Sequence, residues 1–334
     1  MPSRQPLQKT EQRLLLMTSE MGFCAANRNA TNPKRDSNLQ PKVGPPRETT
    51  QGQNRALLLQ VRPAFLLDEE AGSGHKPVCI LAGLKYRGRA LQPSDTSQPL
   101  IAAARELSDR VGRLKFARPV AHVYHPLTYA GKAHAEYLHR FGGSRKRVVF
   151  LGMNPGPFGM VQTGIPFGEI AAVRDWLKIS APIEKPVAEH SRRPILGYDC
   201  PRSEVSGRRL WKLFSERFGS PEKFFMEHFV VNYCPLAFLS ETGSNVTPDK
   251  LAKTERARLE EVCDEHLRRV LEILQPEWLI GIGAFAMKRG ELVAAGAKIR
   301  VGQILHPSPA SPKANRQDWG KSATQELVAL GVWK

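Results

Sequence analysis

The run Val148-Val149-Phe150-Leu151 is apolar at every position and stops abruptly at Gly152-Met153-Asn154-Pro155-Gly156-Pro157. A short apolar segment without polar alternation, closed by turn residues, reads as a strand buried on both faces. Such strands belong to sheets covered by helices on both sides. Residues 229–232, 279–282 and 301–305 read as further strands. Helical patterns cover 100–111, 170–179, the surroundings of Trp211 and Phe214, a long helix started by Thr247-Pro248 and ended before Pro276, a helix from Phe285, and a last one over 322–330. This alternation predicts an α/β fold, with three α/β/α layers around a central, mostly parallel sheet.

The chain has 334 residues and a formal net charge of +17 at pH 7. That excess of Lys and Arg is an electrostatic footprint for a polyanion, with nucleic acid ahead of an acidic membrane surface. The five cysteines, Cys24, Cys79, Cys200, Cys234 and Cys263, are widely spaced and form no CxxC pair. This argues against a disulfide framework and against a zinc or iron–sulfur site, and it fits a reducing intracellular compartment. No stretch approaches the roughly 18 apolar residues of a membrane span. Residues 1–96 are rich in Pro, Gln, Asn, Thr and Arg, and read as a mostly disordered extension outside the working domain. Residues 97–334 hold the patterned part.

In parallel sheets ligands bind beyond the strand C-termini. Asn154, Asn232 and His306 each stand at or just past such an end, so three strands aim one polar group each at a common rim. The Pro-Gly-Pro loop after Asn154 has almost no side-chain bulk, which suits close approach to a flat ligand. HPSPASPKANR, residues 306–316, reads as a rigid protrusion with Lys313 and Arg316 on its flank. Residues 281–286, GIGAFA, fit a dinucleotide fingerprint, but no acidic residue is well placed about 20 residues on for a ribose; tight strand–helix packing explains the glycines better. His122, His125, His134 and His139 lack the partners of a zinc site and read as packing or solvated residues.

Together these segments resemble the uracil-DNA glycosylase superfamily, most closely its single-strand-selective monofunctional branch. The resemblance rests on LGMNPGPFGMVQTGIPFGE and HPSPASPKANR in the expected order and separation, with YHPLTYA (124–130), CPRSEVSGRRLW (200–211) and NYCPLAF (232–238) beside them. It spans about residues 98–334. The sequence departs from the family pattern at His125, commonly Asn, and at Ala310-Ser311, smaller than the Arg-Asn pair of vertebrate members. The smaller tip weakens the expected wedging into a duplex.

The resemblance implies that Asn154 and His306 are catalytic and that Met153, Gly156, Phe167 and Asn232 hold the base. It further implies that Pro307, Ser308, Pro309, Ala310, Ser311, Pro312, Lys313, Asn315 and Arg316 contact DNA. It implies action on uracil in single- and double-stranded DNA by a monomer, with no metal or organic cofactor and no membrane. An amide at position 154 can orient a water but cannot act as a strong base. His306 can stabilise charge on uracil O2. Asn232 can accept from N3–H while donating to O4, a pattern that cytosine reverses. Phe167 is expected to stack on the flipped base. Gly156 stands where family-one enzymes carry a Tyr, so C5-oxidised uracils such as 5-hydroxymethyluracil are expected substrates. No lysine nucleophile is evident in the motifs, so simple hydrolysis without strand cleavage is expected. The alternatives are a mismatch-type thymine/uracil glycosylase, which shares Asn-Pro-Gly, and a non-catalytic nucleic-acid-binding module of the same fold.

Overall fold

The computed structural model describes residues 95–316 and 318–334, all within the unit Gly83–Lys334. Its strands are β1 His122–Tyr124, β2 Val148–Gly152, β3 His228–Asn232, β4 Ala237–Leu239, β5 Asn245–Val246, β6 Trp278–Ile282 and β7 Arg300–Ile304. Four of them form a parallel sheet in the order β3-β2-β6-β7. Every residue of β2 and β6 is buried, as expected for central strands covered on both faces. Phe150 packs towards Phe214 and Phe224 on one face. On the other face Phe229 packs on Tyr137, whose hydroxyl donates to the Val230 carbonyl at 2.8 Å. Helices Val205–Phe218 and Trp319–Ala329 belong to the first face, and Gly131–Phe141, Ser97–Val111 and Lys253–Leu274 to the second. The expected three-layer arrangement is therefore present.

The chain enters the sheet at β2, adds β3 on one side, then β6 and β7 on the other. The switch in direction lies beside β2, where open α/β sheets form their ligand crevice. Register sets Gly152 opposite Asn232, so the last residues of β2 and β3 are neighbours. Beyond the strands, Tyr233 N–H donates to the Gly152 carbonyl and Cys234 N–H to that of Met153, both at 2.9 Å. The two loops therefore leave the sheet side by side.

Three sequence expectations change. The helix expected over 170–179 is only a short wide turn, Ala172–Trp176, in which Leu177 N–H reaches back five residues to the Ala172 carbonyl; Lys178, at φ 55°, ends it. Thr247-Pro248 starts a separate short turn, Pro248–Lys250. Buried Leu251 is extended, so the long helix begins at Lys253. A second sheet, antiparallel in the order β1-β4-β5, was not expected, because strands of two or three residues are too short to show a period. The reading of residues 1–96 as an extension lies outside the described residues except at Asp95 and Thr96. There the Asp95 carboxylate accepts from Ser97 N–H at 2.9 Å and starts the helix Ser97–Val111. Among the described residues no helix is long and apolar enough to cross a membrane.

Candidate active site

A cleft of about 710 Å³ opens at the C-terminal ends of the parallel strands. Met153, Asn154, Gly156, Phe167, Asn232, His306, Ser308 and Pro309 line it together. Every residue assigned from the sequence to catalysis or base binding therefore meets in one place. Of the loop residues, Ser308 and Pro309 reach the cleft.

The floor is set by Gly152. A side chain there would overlap Asn232 Oδ1 and lie 2.5 Å from Cε2 of Phe167. Glycine thus lets an amide and an aromatic ring converge over the end of β2. Phe167 adopts φ 53°, a conformation that costs a bulky residue free energy. Its carbonyl accepts from Glu169 N–H at 2.7 Å and from Trp211 Nε1–H at 2.9 Å. Gly207 lies against the same carbonyl and leaves no room for a Cβ. The helix Val205–Phe218 therefore clamps the strained backbone that aims the ring. Position 211 was legible as helical, but its hold on Phe167 was not.

The two amides differ in their pairing. Asn154 Nδ2 donates to the Leu236 carbonyl at 3.4 Å, which leaves its oxygen free to accept. Asn232 Nδ2 lies 3.2 Å from the Met160 sulfur, a weak acceptor, while its Oδ1 is buried without any partner. An orphan acceptor of that kind is costly until a donor arrives.

His306 is held from both sides. Leu305 N–H donates to Glu326 at 2.8 Å, and its carbonyl accepts from Trp319 Nε1–H at 2.8 Å. Ser308 N–H donates to His306 Nδ1 at 3.1 Å, so the ring proton resides on Nε2. Burial lowers the pKa of the imidazole below its ordinary value, which favours the neutral form. The result is a neutral donor rather than a fixed cation.

The 306–316 segment is a braced turn more than a free protrusion. Arg209 donates to the Pro307 carbonyl and to Asn315 Oδ1, each at 3.0 Å, and Asn315 donates to the Pro309 carbonyl at 2.6 Å. Ser308 Oγ accepts from Ala310 N–H at 3.1 Å and Ser311 Oγ from Ala314 N–H at 3.4 Å, ahead of the short helix Pro312–Arg316. Pro307 is buried, whereas Pro309, Ala310, Pro312, Lys313 and Arg316 are exposed. Arg209 lies in the segment 200–211 that carries part of the resemblance, but its hold on this turn was not legible in the sequence. Phe158 also lines the cleft, and its ring lies under the guanidinium groups of Arg193 and Arg202, at 5.2 and 5.1 Å. The glycines of GIGAFA have a packing role: at Gly281 the following helix, through Met287, occupies the side-chain position.

A family model described as the uracil DNA glycosylase superfamily matches residues 139–328. The chain belongs to this superfamily. By membership it is an enzyme, a hydrolase of N-glycosidic bonds in DNA. It is similar to the "Single-strand selective monofunctional uracil DNA glycosylase" of Bos taurus, 42% identical over 242 residues, which cover 72% of this chain and 89% of that protein. The Rattus norvegicus protein of the same name is 44% identical over 263 residues, covering 78% of this chain and 92% of its own. The solved structure of Pedobacter heparinus SMUG2 covers 69% of this chain and 99% of its own at 19% identity, with a TM-score of 0.51, and shows the shared fold. Both sequence motifs and the strands that carry them, β2 and β7, fall inside the matched glycosylase segment.

Proposed function

We propose that the chain excises uracil and C5-oxidised uracils from DNA by hydrolysis, leaving an abasic site. The observation that carries this reading is the buried, unpartnered Oδ1 of Asn232 beside the Phe167 ring. A flat base stacked on Phe167 can offer its N3–H to that oxygen and receive the Asn232 amide N–H at O4. Cytosine has no proton on N3 and carries a donor at C4, so it would leave the oxygen orphaned and set donor against donor. Mismatches of this kind discriminate by about 10⁴–10⁵. The Nε2–H of His306 serves O2, where charge builds as the base departs. The free oxygen of Asn154 orients a water towards the anomeric carbon. Asn154 withdraws no proton at neutral pH, so rate depends on positioning and on His306.

No lysine lines the cleft among the described residues, which supports release without a Schiff base or strand cleavage. The base must be turned out of the stack to reach this cleft. The exposed Pro309-Ala310 tip is the proposed wedge, with Lys313 and Arg316 as phosphate contacts; Met153 and Gly156 line the base. Pro307, Ser308, Ser311 and Asn315 hold the turn through its own hydrogen bonds and those to Arg209, and exposed Pro312 is a further proposed DNA contact. The proposed unit of action is a monomeric domain of residues 97–334, working on single- and double-stranded DNA in the reducing compartment that holds it. The test is release of free uracil from a uracil-bearing oligonucleotide, single-stranded and duplex, in chelator. Strands stay intact until alkali is added. A folded protein that releases no uracil overturns the proposal.

A further inference from the structure

Two guanidinium groups beside the cleft have no part in the chemistry above. Phe158 lies four residues beyond Asn154, and its partly exposed ring carries both Arg193 and Arg202. Neither arginine has a carboxylate partner among the described residues. Arg202 is exposed and its side chain makes no hydrogen bond among them, so its whole fork of donors faces solvent. Arg193 donates from Nε to the Gly243 carbonyl at 3.0 Å and from Nη1 to the Arg192 carbonyl at 3.3 Å, which fixes the group and leaves Nη2 unengaged. Glu204, the one acidic residue lining the cleft among the described residues, pairs with neither. Its carboxyl group is seated against Gly156 and Gly159, and burial, with the charge of Glu169, raises its pKa to about 7.

Two like charges held over one ring repel each other until an anion joins them. The ring holds both planar cations in place, so their donors are set before a ligand arrives. Arg202 belongs to the cleft wall and Arg193 does not, so the pair leads from the cleft onto the surface. This inference rests on the uracil reading: a nucleotide turned into the cleft leaves the phosphates of its neighbours at the mouth. We infer that Arg202 and Arg193, seated on Phe158, hold the phosphodiester backbone of the target strand where it leaves the cleft. The planar fork of an arginine matches two phosphate oxygens, and such a contact is the same for every base sequence. Both are positioning residues. They are carried by the segment 193–202, apart from Lys313 and Arg316 on the 306–316 turn.

The experiment measures Kd for a labelled, uracil-free single-stranded oligonucleotide over a range of salt concentrations, using the full chain, Arg202→Gln, Arg202→Lys, Arg193→Gln and Lys298→Gln. Single-turnover release from the same sequence bearing one uracil is followed beside it. The slope of log Kd against log salt is expected to fall by about 0.7 for each arginine removed, with Kd raised about five- to tenfold near 50 mM salt. Arg202→Lys keeps the charge and most of the slope. Lys298 is exposed and stands just before β7, at the end of the sheet away from the cleft, so Lys298→Gln removes an equal charge and leaves the slope as it was. The slope does not depend on the folded fraction, which keeps Arg193→Gln informative if the lost bond to Gly243 lowers its stability. In the release assay the loss falls on the half-saturating concentration, not on the rate at saturation. An unchanged slope in Arg202→Gln and Arg193→Gln overturns the inference, as does a fall no larger than that in Lys298→Gln. Unchanged slopes beside normal uracil release defeat this inference alone. A chain that binds the strand but releases no uracil defeats the uracil reading, and this inference with it.

Discussion

Ser308 donates its backbone N–H to Nδ1 of His306 at 3.1 Å, two residues along the chain, and so commits the proton of the neutral imidazole to Nε2. The prolines on either side of Ser308 stiffen the turn that makes this bond. A donor fixed before the base arrives needs no reorganisation as charge develops. Replacing His306 with Ala is expected to lower single-turnover uracil release by about 10²–10³, the usual effect of losing such a donor. KM should change far less. Loss confined to KM would remove His306 from the chemical step.

Asn232 is the residue on which base choice depends. In Asn232→Asp the donor towards O4 becomes an acceptor, while the group can now pair with the exocyclic amine of cytosine. Uracil release is expected to fall, and the preference for uracil over cytosine to shrink by at least about tenfold. Competition between two otherwise identical oligonucleotides measures it. Unchanged preference and unchanged rate would take the assigned role away.

The strained Phe167 backbone predicts an effect from a residue outside the cleft. Gly207 abuts the Phe167 carbonyl, and a methyl group there has no free space. Gly207→Ala is expected to cost about 1–3 kcal/mol through overpacking, a drop in Tm of about 2–12 °C for a domain of this size. It should also raise KM for uracil-bearing DNA, because the ring is displaced from the end of β2. A variant with the Tm and kinetics of the parent chain would show that the helix does not hold Phe167.

Buried histidines predict how stability varies with pH. Burial pushes His125, His134, His228 and His266 down to about 4. At His228 burial outweighs the bond that Nδ1 donates to the Phe224 carbonyl at 3.0 Å, and Nε2 accepts from Trp333 Nε1–H at 3.0 Å, a bond that only the neutral ring can make. In the unfolded chain histidines protonate near about 6.5. Between these values the unfolded state binds more protons, so stability rises with pH. The contribution is complete above the unfolded value and is lost as pH falls towards the folded one. Thermal melts between pH 7 and 4 should show Tm falling steeply, with a shallower slope in His228→Gln. A flat profile across that range would contradict the burial of these rings.

Much of this molecule is written in local sequence. The apolar runs of β2, β3 and β6 announce strands covered on both faces, and their alternation with helices leaves a parallel sheet as the consistent arrangement. The position of Asn154, Asn232 and His306 at strand ends follows from the same pattern, because a parallel sheet gathers its C-terminal ends on one side. What local pattern could not supply are relations between distant segments. Arg209 reaches the 306–316 turn across about 100 residues of chain, and Trp211 holds a carbonyl 44 residues away. Glu204 lies in the segment 200–211, where nothing in the local pattern shows that folding presses its carboxyl group against Gly156 and Gly159. Periodicity and turn chemistry are short-range properties, fixed by a residue and its near neighbours. The loss of a carboxyl group's water, the seat cut for it by two glycines and the clamp on a strained backbone arise only when remote segments exclude solvent together.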